Sequence, residues 1–402
     1  MKHILFVESR EYLPGIEFCK QQNWKVTLLT TTPEFYQKEK LAMVDDVFMV
    51  ETYDEQKVVE FVRQYHARQH LDAVLSFSDL YVIPATAAAK AIGVPTMDPE
   101  ATKRARNKWI TRELCKQHGI ASPSFYNAAS LQQALEAAEE IGYPCIIKPI
   151  DGASSLGVKC VYNPQELERA YADYMENRHL GKGLYGSERL LIEEYIEGEL
   201  FSVETLTCNG ATHVLGITDR QLIGFPGFIE SAGAFPIVGQ HQDSSIPLVL
   251  RCLQVLGIDF GAAHTEIVLT AKGPLIIEVN PRMGGGPVHD LIYYATGIDL
   301  VKEIIKIHMG MPPELQPVHS KVAAAKILYA TVNGTLRSIK QHQPILEQMD
   351  VKHFKVSKIG QQVKVPESNF DSIGTLVVVG DTESAARSRL ELIEQQLEFI
   401  VE

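Results

Sequence analysis

No stretch of this 402-residue chain approaches the run of about 18 apolar residues that a membrane-spanning helix needs, so no membrane partner is expected. The apolar start Ile4-Leu5-Phe6-Val7 is too short for the core of a secretion signal and reads as a first strand. The six cysteines, Cys19, Cys115, Cys145, Cys160, Cys208 and Cys252, never fall in a CxxC pair. That spacing argues against a zinc site or disulfide framework and for reduced thiols in a cytoplasmic protein. Positive charge is also scarce: 38 Lys and Arg stand against 50 Asp and Glu, a net charge of −12. Such a surface repels nucleic-acid phosphates, so no nucleic-acid partner is expected, although local cations and Mg²⁺ still permit a nucleotide site. Two phosphate-binding signatures are missing as well. The turn from Glu8 to Gly15 lacks GxGxxG, and no segment has the GxxxxGK[ST] order.

What is present is an ordinary globular composition, 45% hydrophobic and 22% charged, on a chain long enough for roughly two to four domains. The first hundred residues alternate strand and helix signals. Strands are read at Ile4–Val7, Lys25–Thr30, Val47–Val50 and Ala73–Ser76, and helices at Pro14–Gln22, Glu55–His70 and Pro84–Ala91. That alternation implies a parallel α/β sheet. Asp98 to His118 reads as mostly helical. Helix Leu131–Ile141, strand Cys145–Lys148, a Gly/Ser loop and strand Gly157–Tyr162 follow. Helix Pro164–Asn177, a glycine-rich stretch 181–187 and strand Leu190–Glu194 complete that block. Residues 201–280 are strand-rich, with helix Ile246–Leu256 and a loop from Gly224 to Gly239. Past Pro312 come short strands (Ala323–Tyr329, Thr375–Val379) and a last helix, Ser384–Leu397.

The chemistry concentrates in four segments. In Leu275-Ile276-Ile277-Glu278-Val279-Asn280-Pro281-Arg282, strand alternation puts Glu278 and Asn280 on one face. The preceding strand, His264 to Leu269, forms a hairpin with it through the turn 271–274. Glu266 then lies across from Glu278, and adjacent carboxylates repel unless a cation sits between them. Glu266, Glu278 and Asn280 offer the oxygen ligands that Mg²⁺ prefers. Arg282, ahead of Gly284, Gly285 and Gly286, can hold a transferring phosphoryl group or a substrate carboxylate.

The second segment is Cys145-Ile146-Ile147-Lys148-Pro149 with the loop Asp151 to Val158. A lysine ending a buried strand is costly unless it meets an anion, and the loop with Ser154, Ser155 and Gly157 can wrap N–H groups around phosphates. The third, Leu191 to Glu199, turns from apolar strand into a connection whose backbone can pair with an adenine edge, leaving Glu199 for ribose hydroxyls. The fourth, Phe225 to Ala234, carries Glu230, placed to meet a substrate ammonium group or to sit solvated on a loop. Arg220 reads as a surface ion pair, with a reach to phosphates as the alternative. His213, His264 and His289 are candidate proton acceptors, a hydrogen-bonded structural role being the commoner one for His264.

In this order the segments resemble the ATP-grasp carboxylate–amine ligases, and among them the bacterial L-amino acid ligases that make dipeptides. The nearer resemblance rests on Ala263-His264-Thr265-Glu266, the run Asn280 to Gly286, and Ala295-Thr296-Gly297-Ile298-Asp299. The resemblance implies an ATP-grasp fold of α/β and α+β character. It divides the chain into an N-terminal pre-ATP-grasp (Rossmann-like) parallel-sheet domain (1–105), a central subdomain (106–200), a subdomain with the Mg²⁺ and substrate site (201–311) and a small C-terminal α+β domain (312–402). It makes Lys108 and Lys148 the nucleotide lysines. Glu193, Glu194 and Ile196 become the adenine hinge and Glu199 the ribose acid. Glu266, Glu278 and Asn280 become ligands of Mg²⁺, two ions with Mn²⁺ as a substitute. Catalysis falls to Arg282, Lys148 and Glu278, and the substrates meet Glu230, Arg282, Gly284 and Gly285. The substrates implied are ATP, a small-molecule carboxylate and an amine, both amino acids, in a chain for which a homodimer is compatible. The dipeptide ligases it resembles often carry a histidine a few residues past the substrate glutamate, where this chain has Gly233 and Ala234. A carrier-protein thiol or bicarbonate as acceptor would keep the same ATP site, and a non-catalytic nucleotide-binding module is the reading of a different class.

Overall fold

The computed structural model describes residues 1–181, 184–224, 228–239, 242–341, 351–356 and 359–402. The chain opens with β1 (His3–Val7), α1 (Ile16–Gln21), β2 (Lys25–Thr30), α2 (Lys38–Leu41), β3 (Asp46–Met49), α3 (Glu55–Arg68), β4 (Ala73–Leu75) and α4 (Val82–Ile92). Its strands form an all-parallel sheet in the order β3-β2-β1-β4. Helices cover both faces of such a sheet, which is why β1 is apolar from Ile4 to Val7 and every residue of it, His3 included, is buried. The stretch read as one helix from Asp98 is two, α5 (Pro99–Arg106) and α6 (Lys108–Gln117). Asn107 ends the first and caps the second, its side chain accepting from Ile110 N at 3.1 Å. The break turns Lys108 N onto Ile150 O at 2.8 Å and so brings the start of α6 against the glycine loop.

Next come β5 (Phe125–Ala128), α7 (Leu131–Ile141), β6 (Cys145–Pro149), β7 (Lys159–Val161) and α8 (Pro164–Glu176). A two-stranded hairpin of β8 (His179–Gly181) and β9 (Leu184–Tyr185) leads to β10 (Leu190–Glu194). These make an antiparallel sheet β5-β10-β6-β7. Beyond it lie β11 (Glu199–Cys208), β12 (Ala211–Asp219), β13 (Gln221–Ile223), β14 (Ile229–Phe235), α9 (Gln242–Leu256), β15 (Gly261–Thr270) and β16 (Gly273–Asn280). The third sheet runs β12-β11-β15-β16.

The remaining elements are α10 (Val288–Thr296), α11 (Leu300–His308), β17 (Val322–Leu328), β18 (Gly334–Gln341), β19 (Val351–Val356), β20 (Gln362–Val363), β21 (Gly374–Gly380), α12 (Glu383–Glu394) and β22 (Leu397–Val401). A fourth sheet, β13-β14-β17-β21-β19, joins two strands from the middle of the chain to three from its end. Two sequence readings are corrected here. Part of the loop assigned to 224–239 is strand β14, whose small Gly233 and Ala234 pair with the equally small Ala325 and Ala324 of β17 and whose Phe235 pairs with Ala323. The last helix stops at Glu394, because Leu397 to Val401 pairs as a strand with β18. Residues 225–227 of the substrate segment, and 182–183 of the glycine-rich stretch, lie outside the described residues.

One hydrophobic core joins Ile4, Phe6 and Leu28 of the first sheet to Leu291 and Ile305 of α10 and α11, and to Ala323 and Val377 of the fourth sheet. The N-terminal sheet is therefore packed onto the segment that follows Arg282. At Gly198, between β10 and β11, an added methyl would meet the Leu269 carbonyl and the Val268 side chain. Gly198→Ala is expected to cost about 2 kcal/mol of stability, seen as a lower urea midpoint. An unchanged midpoint would show that this junction has room to spare.

Candidate active site

The hairpin β15–β16 pairs Glu266 directly with Glu278, and His264 with Asn280. Three carboxylate or amide side chains thus share one face of two adjacent strands. Lys108, at the start of α6 and only 6% exposed, reaches this face: its Nζ lies 3.1 Å from Glu278 Oε1 and donates to Gly152 O at 2.9 Å. One ammonium group therefore joins the acidic hairpin to the glycine loop. The end of the Asn280 amide that faces Glu278 Oε1 (3.1 Å) and Asp79 Oδ1 (3.3 Å) is a donor when it is nitrogen. Turned the other way, the same position presents a third oxygen beside two carboxylates, an arrangement that suits a hard cation. The donor set of Glu266, Glu278 and Asn280 fits Mg²⁺. Among the described residues no group of three His, Cys, Asp or Glu forms a metal site, so phosphate oxygens and water would complete the coordination.

Glu266 does not stand alone. Arg220 contacts it and also contacts Glu230. The Arg220 side chain is 9% exposed, so the surface ion pair expected from sequence is instead a buried hub. Burial alone would raise the Glu266 carboxyl, but Arg220 and His264 outweigh it and hold the group well below the usual range. His264 is buried, with Nδ1 2.9 Å from both oxygens of Glu204 and Nε2 3.5 Å from Glu266 Oε1. Burial by itself would lower its pKa; Glu204 reverses this and raises it to about 9. With Nδ1 held by both oxygens of Glu204 and Nε2 facing Arg220 Nη1 at 3.3 Å, His264 has the hydrogen-bonded structural role that is the commoner one for a buried histidine. His213 is exposed on β12, and His289 stacks on Tyr12. Glu230 lies on strand β14 rather than on a loop. Its N–H donates to Asn369 Oδ1 (2.9 Å) and its carbonyl accepts from Tyr329 OH (2.9 Å). With Arg220 already on its carboxylate, an ammonium group would share it.

At the far end of the site Lys148 and Arg112 flank one buried carboxylate. Lys148 Nζ is 2.6 Å from Glu193 Oε2, Arg112 Nε is 2.8 Å from Glu193 Oε1, and all three are buried. Burial lowers the Lys148 pKa against the pull of Glu193, and the two cations keep Glu193 ionised despite its own burial. Glu193 thus meets Lys148 with its side chain. Glu194 is exposed, and its N–H is taken by Ser124 O at 3.0 Å. Ile196 is half-buried in the connection beyond it, and Glu199 is exposed at the first position of β11. In the glycine loop Ser154 and Ser155 have φ of 56° and 58°, beside Gly157 at 73°. Left-handed backbone at two serines in succession is strained, and it turns successive N–H groups toward one side.

Arg282 follows the hairpin. It contacts Asp79 and donates to Met283 O at 2.7 Å. Gly284 is buried, its carbonyl accepting from Arg10 Nη2 at 3.0 Å, while Gly285 has open space around it. Asp79, Arg10, Arg112 and Glu204 were not singled out from sequence. Two of them had a signal: Arg112 is one turn from Lys108 on the same helical face, and Asp79 follows the carboxyl end of a parallel strand, where ligands gather.

Family models match most of the chain in three pieces. An ATP-grasp N-terminal domain matches residues 24–96, an ATP-grasp domain 141–290, and an L-amino acid ligase C-terminal domain 2 matches 326–402. The chain belongs to the ATP-grasp superfamily. This ATP-grasp chain is 28% identical over 314 residues to the uncharacterized protein y4rH of Sinorhizobium fredii, covering 77% of its own length and 64% of that protein. It is 24% identical over 357 residues to an L-arginine-specific L-amino acid ligase of Bacillus subtilis, with 86% and 84% covered. It spans only 31% of the length of human carnosine synthase 1, which it also matches. A crystal structure of an L-amino acid ligase from Bacillus licheniformis superposes with a TM-score of 0.84 at 24% identity, covering 100% of this chain and 99% of that one. The ATP-grasp fold follows from that likeness.

The folded pKa of His264 lies above its ordinary 6.5, so its pairing with Glu204 contributes stability that is complete below about pH 6.5 and lost as pH rises through about 9. In metal-free buffer the urea midpoint should fall over that window, by a step on the order of 3 kcal/mol. His264→Gln should flatten the step; a wild-type midpoint constant from pH 6.5 to 9.5 would remove the assignment.

Proposed function

We propose that this chain is an ATP-dependent carboxylate–amine ligase that activates one amino acid's carboxylate as an acyl phosphate and joins it to a second amino acid, making dipeptides. The observation that carries this reading is Lys108, whose ammonium group spans Glu278 of the acidic hairpin and Gly152 of the glycine loop. A triphosphate lying between those two elements would meet a cation on one side and metal ligands on the other. The names of an L-arginine-specific L-amino acid ligase and of carnosine synthase among the relatives favour amino acids as both substrates.

In this reading Glu266, Glu278 and Asn280 hold Mg²⁺ (two ions, with Mn²⁺ as a substitute), which supplies charge neutralisation at the phosphates. Lys108, Lys148 and the N–H groups around Ser154, Ser155 and Gly157 hold the phosphate chain. Glu193 keeps Lys148 aimed. The main chain at Glu194 and Ile196 borders the adenine, and Glu199 receives the ribose. A substrate carboxylate oxygen then attacks the γ-phosphorus as the bond to ADP breaks. The neutral amine attacks the resulting acyl carbon; phosphate leaves and the nitrogen loses a proton. Arg282 stabilises the transferring phosphoryl group, Gly284 and Gly285 leave room for the substrate beside it, and Glu230 takes part in holding an ammonium group. Most of the acceleration comes from placement and charge. Acyl phosphates hydrolyse, so water must be kept out; the loop 151–157 is the proposed cover. The proposed division into 1–105, 106–200, 201–311 and 312–402, in a cytoplasmic protein, belongs to the same reading.

ADP release from Mg-ATP across an array of amino acid pairs, with mass spectrometry of the products, tests the proposal. Stimulation by particular pairs with a dipeptide mass is expected, and an array with no stimulation would end the dipeptide reading. Glu278→Ala should reduce ADP release at least 100-fold while the thermal transition stays cooperative; near-normal turnover would remove the metal assignment.

A further inference from the structure

Arg282 is held by a residue that the rest of the site does not use. Asp79 lies in the turn between β4 and α4, in the N-terminal sheet domain, and its side chain is 14% exposed. One oxygen, Oδ2, contacts Arg282 Nη2. The other, Oδ1, lies 3.5 Å from Arg106 Nη1, and Arg106 Nη2 donates to Asp151 O at 3.0 Å. A single carboxylate therefore connects the N-terminal sheet, the residue that follows the acidic hairpin, and the first residue of the glycine loop.

The charge count gives the connection its meaning. Two guanidinium groups, 6% and 12% exposed, share one carboxylate, so the cluster retains a positive charge where an anion can complete it. Buried cations of this kind need a fixed partner. Besides Asp79, the carboxylates of Glu278 and Glu266 also attract the Arg282 guanidinium. Without Asp79 the guanidinium would be drawn to those two, away from an incoming phosphoryl group and onto the proposed metal ligands. Among the described residues Arg282 donates to Asp79 and to Met283 O, and a guanidinium carries five N–H groups.

We propose that Asp79 is a positioning residue that aims Arg282 at the transferring phosphoryl group and keeps it off Glu266 and Glu278. The proposal rests on the ligase reading of Arg282, and it makes the N-terminal domain part of the catalytic machinery rather than a scaffold. Displacing a catalytic group by about 1 Å costs on the order of 100-fold in rate. Asp79→Asn keeps the shape and removes the charge, so its kcat for ADP release should fall about 30- to 100-fold while KM for ATP moves less than about threefold.

The deciding experiment is a double-mutant cycle of Asp79→Asn with Arg282→Ala, measured by ADP release alongside urea unfolding. If Asp79 acts through Arg282, the double variant is no slower than Arg282→Ala alone. Additive losses, wild-type turnover in Asp79→Asn, or a loss confined to KM for ATP would each overturn the proposal. Should Asp79→Asn lose its cooperative transition, the cycle is run with Asp79→Glu, which keeps the charge but shifts it by one methylene; the same outcomes decide. Full turnover in Arg282→Ala would sink the ligase role of Arg282 and this inference with it, whereas an inactive Arg282→Ala beside an active Asp79→Asn sinks this inference alone. If the wild type turns over no amino acid pair, phenylglyoxal modification mapped by mass spectrometry decides instead. Arg282 should then react several-fold faster in Asp79→Asn than in the wild type, and equal rates would overturn the pairing.

Discussion

Two cations side by side in a dry interior repel each other strongly unless something negative lies between them, and in this chain that something is Glu193. Its carboxylate receives Lys148 from the neighbouring strand β6 and Arg112 from α6. Arg112 continues across to Ile277 O at 2.6 Å, on the strand that carries Glu278 and Asn280. The buried triad therefore does two things at once. It fixes the reach of Lys148, and it sews the second sheet to the third at the cleft between them. A buried ion cluster is poor evidence for net stability, since apolar residues would fill the same volume at less cost. Its retention fits a demand for a charged group held at one place.

Charge is divided unequally along the cleft, and the division matches what a metal-bound polyphosphate requires. Near the glycine loop cations exceed acids: Lys148 and Arg112 share Glu193, and Arg282 and Arg106 share Asp79. Near the hairpin the balance reverses, where Arg220 and a protonated His264 face Glu204, Glu230 and Glu266. Lys108 and Glu278 sit at the junction and cancel. An anion is drawn to one end and a divalent cation to the other, and each makes the other easier to accommodate. Helix α6 supplies both Lys108 and Arg112, so its start at Asn107 sets the register of both ends.

Local signals carried much of this into the sequence. Alternation alone put Glu278 and Asn280 on one face, and a two-strand hairpin put Glu266 opposite; the register agrees. The parallel first sheet was legible because strands buried on both faces are apolar throughout. What escaped depended on partners far away in the chain. Strand β14 was missed because Ala232, Gly233 and Ala234 have no strand character of their own and become a strand only when matched with Lys326, Ala325 and Ala324 of β17, about 90 residues later. Asp79 meets Arg282 across 203 residues, and Glu204 meets His264 across 60; no spacing rule joins them. Arg220 looked like a surface residue because nothing in its neighbours reveals that three acidic or imidazole groups close over it.

The same long-range dependence explains why the substrates are harder to read than the nucleotide site. Phosphates and metal need charges whose positions follow from strand and helix periodicity. In the proposed ligase the carboxylate and amine would meet residues tied together from separate parts of the chain: Gly284 and Arg282 after the hairpin, held by Arg10 and Asp79 of the N-terminal segment, and Glu230 of β14, held by Tyr329 of the C-terminal segment. Each comes from a loop or strand end whose position relative to the others is decided by the core beneath α10 and α11. A change of one side chain at such a meeting point alters the shape of the pocket without touching the nucleotide machinery. In the proposed ligase, specificity would then be free to vary while the nucleotide site stayed the same, and the pairing of Glu230 with Arg220 would be one way of doing so, since it offsets the charge that Glu230 offers to an amine.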